Sequence, residues 1–121
     1  MKFDNSQLLS DLFSLYKSLI REHPCKTRRE ICILISQSPA PRMYFSVEYA
    51  RRVISVMSLG GRRSHDPIRF RKHHELYRRW LSLPINEQNI EGLQNIISQP
   101  APSFYLSPDR INYLLYKAIE K

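Results

Sequence analysis

The stretch Ile35-Ser36-Gln37-Ser38-Pro39-Ala40-Pro41-Arg42-Met43-Tyr44-Phe45-Ser46 returns later in the chain as Ile97-Ser98-Gln99-Pro100-Ala101-Pro102-Ser103-Phe104-Tyr105-Leu106-Ser107, one residue shorter before the first proline. From Pro39 to Pro100 the offset is 61 residues. The same offset carries Leu15-Tyr16-Lys17 onto Leu76-Tyr77-Arg78 and Ile20 onto Leu81. Downstream it carries Glu48, Ala50, Val53 and Ile54 onto Asp109, Ile111, Leu114 and Leu115. Average residue usage places a given Pro-Ala-Pro at about one position in several thousand. Two copies in matched surroundings therefore read as a duplication, with units 1–61 and 62–121 that either hold separate cores or share one.

Each unit reads as three helices, so the expected fold class is all-α, with two tandem related three-helix units of helix-turn-helix-like outline. In the first unit, Leu8, Leu9, Leu12, Phe13, Leu15, Tyr16, Leu19 and Ile20 recur at the helical period until His23-Pro24 stops them. Thr27 with Glu30 forms a capping-box signature for a second helix through Ile31, Leu34 and Ile35. Pro39-Ala40-Pro41 must then be extended, because a residue preceding proline avoids helical angles. Ser46 is placed to cap a third helix whose stripe is Val47, Ala50, Val53, Ile54 and Met57. In the second unit Asp66-Pro67 is an N-cap followed by proline at the first helical position, and Tyr77, Trp80, Leu81 and His73 supply the apolar face. Asn86 is expected to cap the next helix, through Ile90, Leu93, Ile96 and Ile97. Ser107-Pro108-Asp109 opens the last, expected to be buried through Ile111, Leu114, Leu115, Ala118 and Ile119. Gly60-Gly61, between the units, is the expected hinge.

In the Pro-Ala-Pro segments the large side chains Met43, Tyr44 and Phe45, and Phe104, Tyr105 and Leu106, read as plugs for the gap between the helices on either side. The prolines reduce the entropy lost in ordering that connection. The alternative use of Tyr44 or Tyr105 is as a stacking surface.

The chain has 121 residues, 19 Lys and Arg against 11 Asp and Glu, and a net charge of +8. Arginine outnumbers lysine 13 to 6, and guanidinium forks suit phosphate oxygens and base edges. The expected partner is nucleic acid, DNA in preference to RNA, with an acidic protein as the alternative. Between Arg62 and Arg79 stand Arg62, Arg63, Arg69, Arg71, Lys72, Arg78 and Arg79 against Asp66 and Glu75, a phosphate-tracking pattern. Arg51 and Arg52, opposite the apolar stripe of the third helix, fall where a recognition helix would meet base edges. Arg42 of the first connection joins this set. At the offset of 61, Arg51 and Arg52 become Asn112 and Tyr113, so the second unit presents less charge there and more material for stacking or packing.

Catalytic chemistry finds no footing in the sequence. The carboxylates are scattered, and His73-His74-Glu75 is the only candidate cluster, whose adjacent histidines diverge by about 100° on a helix. Cys25 and Cys32 with the scattered histidines match no zinc spacing, and two cysteines make no disulfide framework. No cofactor or metal is expected, with three glycines leaving little material for phosphate-cradling loops. No run approaches the roughly 20 apolar residues of a membrane span and the start lacks a secretory pattern, so no membrane partner and a cytoplasmic location are expected.

Pro-Ala-Pro, then a variable residue, two aromatics, an aliphatic, Ser, two residues and a helix resembles a motif of small basic proteins of bacterial prophages and mobile elements. The resemblance covers Pro39 to Ala50 and Pro100 to Ile111. It implies a bacterial, mobile-element context, in which a basic helical protein is expected to act as a regulator or accessory factor.

Overall fold

The computed structural model describes residues 6–61 and 64–119. Among the described residues there are six α-helices: α1 Ser6–Glu22, α2 Arg28–Ser36, α3 Val47–Ser58, α4 Pro67–Leu81, α5 Ile90–Ser98 and α6 Pro108–Ile119. Their order is compatible with two related three-helix units, with α2 and α5 nine residues long and α3 and α6 twelve. The described residues contain no strand, only an isolated antiparallel bridge between Ala40 and Ala101.

Most helix boundaries follow from caps that the sequence announces. Thr27 accepts from the Glu30 N–H while Glu30 reaches back to the Thr27 N–H, a complete capping box. Ser46 accepts from the Tyr49 N–H at the head of α3, and Ser107 from the Arg110 N–H at the head of α6. Asp66 accepts from Ile68 and Arg69, with Pro67 in the first turn where its missing N–H costs nothing.

Two boundary expectations are corrected. The cap of α5 is Asn89, whose side chain accepts from the Gly92 N–H, and Asn86 lies in a short 3-10 turn, Ile85–Glu87. That turn brings the Glu87 carbonyl so close to Gly92 that a Cβ there would lie 2.0 Å from the oxygen, which only glycine avoids. Gly60-Gly61 is a helix terminus rather than a hinge. Gly60, at φ +82°, donates to Met57 O and Gly61 to Val56 O, the paired bonds of a Schellman motif closing α3.

The six helices fall into two compact units, and these are not the sequence halves 1–61 and 62–121. One unit comprises the described residues between 41 and 100, the other residues 6–40 with 101–119. In the first, α3 packs on α4 and α5; in the second, α6 packs on α1 and α2. Each unit thus takes two helices from one half of the sequence and the third from the other. At the offset of 61, buried Ala50, Val53 and Ile54 of α3 correspond to buried Ile111, Leu114 and Leu115 of α6, so the two third helices carry equivalent apolar stripes.

The crossovers occur within the Pro-Ala-Pro segments. In each tripeptide only the alanine has an N–H, and that donor is used: Ala40 donates to Ala101 O at 2.8 Å and Ala101 to Ala40 O at 2.9 Å. Both methyl groups are buried. Buried backbone needs such pairing, and an antiparallel exchange between identical residues supplies it without a strand.

The core of the 41–100 unit is built from Met43, Tyr44, Phe45, Ala50, Val53, Ile54, His73, Leu76, Leu93, Ile96 and Ile97. That of the other unit uses Leu8, Leu12, Ile31, Cys32, Ile35, Ala40, Ala101, Phe104, Ile111, Leu114 and Leu115. The first connection plugs its core with all three large side chains. In the second only Phe104 is fully buried, while Tyr105 stands half-buried at φ +57°, a left-handed conformation uncommon outside glycine. Leu81, expected on the apolar face of α4, is 60% exposed, because it lies in the last turn beyond the helices that cover Leu76. Ile20, its counterpart in α1, is also exposed.

Candidate nucleic-acid interface

All the described residues that the sequence nominates as basic contacts lie in the 41–100 unit, where ten Lys and Arg stand against five Asp and Glu. Arg62 and Arg63 lie outside the described residues. The structure divides the remainder into cations that face solvent and cations that hold the fold.

Arg51 and Arg52 are exposed on α3, opposite buried Val53 and Ile54. With Glu48, Ser55 and Val56 they line an open depression on the helix surface. Arg69 and Arg71 are exposed in the first turns of α4. None of these four arginines makes an ion pair within the described residues. Arg71 and Arg78 are seven residues apart and share one face of α4, about 10 Å apart along its axis. Arg78, though exposed, is engaged: its Nε and Nη2 reach the Glu75 carboxylate at 3.0 and 2.6 Å. Those hydrogen bonds, with the Arg79 bond and both positive charges, hold the Glu75 carboxyl below the usual carboxylate range against the opposing effect of burial.

Arg79 and Lys72 are not surface contacts. The side chain of Arg79 is only 11% exposed. It donates to Glu75 at 2.9 Å, to Ile96 O at 2.9 Å and to Pro100 O at 2.7 Å, tying α4 to the C-terminal end of α5. The Lys72 ammonium donates to Tyr44 O at 2.8 Å and lies 4.5 Å from the centroid of the Phe45 ring. Burial, with the nearby Arg69 charge, pushes it down to about 8. Both side chains secure the Pro-Ala-Pro connections, Lys72 through Tyr44 O and Arg79 through Pro100 O and through Ile96 O, whose helical donor position is Pro100, a residue with no N–H. Arg42 is half-buried, its Nε enclosed without a hydrogen-bond partner among the described residues.

His73 occupies the position that Leu12 fills in the first copy, and both are buried. Its Nε2 lies 3.3 Å from the Tyr49 hydroxyl, and its ring packs at 6.0 Å from Phe45. This accounts for His73 as a core residue and separates it from exposed His74. Among the described residues no cluster of His, Cys, Asp and Glu has metal-binding geometry, and burial pushes the Cys32 thiol up. No described helix is long and apolar enough to cross a membrane.

The other unit carries a constellation that charge counting along the sequence passes over. Arg28 of α2 lies 4.2 Å from the Tyr116 ring centroid and 5.5 Å from that of Tyr16, its Nε donating to Asn112 Oδ1. Tyr113 of α6 is flanked by Arg110 at 5.1 Å and Lys117 at 5.4 Å. The sequence signal was the spacing: Arg110, Tyr113 and Lys117 at i, i+3 and i+7 form one stripe.

Comparison with known proteins finds no matching family model, curated protein or solved structure.

Proposed function

We propose that the chain is a non-enzymatic nucleic-acid-binding protein that holds duplex DNA through its 41–100 unit. The observation carrying this reading is the exposed set Arg51, Arg52, Arg69 and Arg71, free of ion pairs within the described residues and contributed by two helices packed on one core. Free guanidinium groups bind phosphates and release counterions. α3 is suited to reading because it is short, exposed along its Arg51–Arg52 side and capped at its start by Ser46. The B-form major groove admits such a helix, and Arg pairs with the O6 and N7 of guanine there. The deep, narrow major groove of A-form RNA does not admit it, which favours DNA.

The biological setting is proposed on the resemblance of the Pro-Ala-Pro segments to those of small basic prophage proteins: a regulator or accessory factor of a mobile element. A mobility-shift titration of purified protein against duplex DNA and structured RNA at two salt concentrations tests the reading. Duplex binding that weakens steeply with salt supports it. Absence of duplex binding sinks it and leaves an acidic protein as the partner for the same arginines.

A further inference from the structure

The two copies have diverged most tellingly on the outer face of their third helices. Where α3 presents Arg52 and Ser55, the offset of 61 places Tyr113 and Tyr116 on α6. The two tyrosines are 48% and 53% exposed and neighbour each other at i, i+3. The core of their unit does not need them, since Ile111, Leu114 and Leu115 on the opposite side of α6 are buried. Around the pair stand Arg110, Lys117 and Arg28, each within 5.4 Å of a tyrosine ring centroid. Asp109 is 3.4 Å from Arg29, and no ion pair within the described residues neutralises Arg110, Lys117 or Arg28.

We infer that this face of α6 is a second nucleic-acid site, one for unpaired bases of a single strand. Exposed aromatic rings stack bases of any identity, and Arg110 and Lys117 beside Tyr113 supply charge for the flanking phosphates. The platform is pre-set: Asn112 fixes the Arg28 guanidinium, and Arg28 holds Tyr116 on one side. Fixing those rotamers before binding lowers the entropy lost on association. The charge around the rings selects an anionic ligand, and the two adjacent rings select one with planar faces; a single strand has both. Duplex DNA keeps its bases stacked inside and offers these rings nothing. The inference does not rest on the duplex-binding reading, since it uses different residues in the other unit.

The test is fluorescence anisotropy of the full chain with labelled oligo(dT), and with an abasic strand of equal length, at one fixed salt concentration. Oligo(dT) is expected to bind more tightly than the abasic strand. Tyr113→Ala and Tyr116→Ala should each weaken oligo(dT) binding about tenfold, with abasic binding unchanged and the melting temperature held. Tyr113→Phe should bind like the wild type, because stacking needs the ring and not the hydroxyl. Arg51→Gln with Arg52→Gln should weaken oligo(dT) and abasic binding alike and leave the ratio between them intact, which separates failure here from failure of the duplex reading. Equal binding of oligo(dT) and abasic strands, wild-type binding by Tyr113→Ala and Tyr116→Ala, or no binding of oligo(dT) would each overturn the inference.

Discussion

Ala40 and Ala101 hold the same position in the two copies and hydrogen-bond to each other through both backbone groups, at 2.8 and 2.9 Å. Each is the one backbone donor in a Pro-Ala-Pro tripeptide, and each uses it on the other's carbonyl. Ala101→Pro removes a donor and leaves Ala40 O unpaired in a buried setting. It is expected to cost about 1–3 kcal/mol, read as a lowered urea midpoint at unchanged m-value.

Arg78 and Arg79 are adjacent in sequence and opposite in consequence. Arg79→Ala strips donors from the Ile96 and Pro100 carbonyls and from Glu75, and should cost about 2–4 kcal/mol, as expected for charge-assisted bonds lost in a partly buried site. Arg78→Ala, at a side chain 61% exposed, should change stability by less than about 0.5–1 kcal/mol despite its short bonds to Glu75. Urea unfolding of the two variants measures the contrast; equal losses would contradict the assignment of Arg79 as the clamp.

Lys72 gives the fold a pH dependence of unusual sign. Its amine titrates near 8 in the folded chain and near 10.4 when unfolded. Between those values the unfolded state binds more protons, so stability rises with pH across this window. The contribution is fully present above the unfolded value and is lost as pH falls through 8, in all about 3 kcal/mol. Unfolding free energies of the wild type and Lys72→Met at pH 7 and pH 10 should differ in this way, with the wild type gaining relative to the variant as pH rises. Parallel pH profiles would show that the ammonium is not buried.

Tyr44 and Tyr105 are counterparts with different roles. Tyr44 is a buried plug, and Tyr44→Ala is expected to cost about 3–5 kcal/mol, as for other large buried aromatics. Tyr105 is half-buried in a left-handed backbone, so Tyr105→Gly recovers about 1 kcal/mol of strain against the packing that it loses and should be distinctly milder. Thermal melts of the two variants check the difference.

The helices were legible because α2, α3, α4 and α6 carry caps and apolar stripes in matched register, and Thr27 with Glu30 states its boundary outright. The exchange of third helices was not. Periodicity shows that α3 and α6 each have a face to bury, but two faces of the same pattern carry no label saying which pair of helices each will cover. Asn86 lost the cap of α5 to Asn89 because both are good cap residues, and only the close approach of Glu87 O to Gly92 decides between them. Arg79 reads as a surface charge in a linear count, yet it stands three residues after buried Leu76, at the edge of the buried face. The solvent-facing arginines Arg51, Arg52, Arg69 and Arg71 were legible from the helical wheel, whereas the Arg28–Tyr116 contact joins residues that only the tertiary fold brings together.

The central claim is that the exposed arginines of the 41–100 unit bind the phosphates of duplex DNA. It is tested most directly by the slope of log Kobs against log salt for duplex binding, in the wild type and in a variant with Arg51, Arg52, Arg69 and Arg71 all changed to Gln. Each phosphate contact adds about −0.9 to that slope, so the wild type should be steeper than the variant by roughly 2–4 and bind more tightly at low salt. The same slope and affinity in both proteins, or a wild type insensitive to salt, would contradict the account.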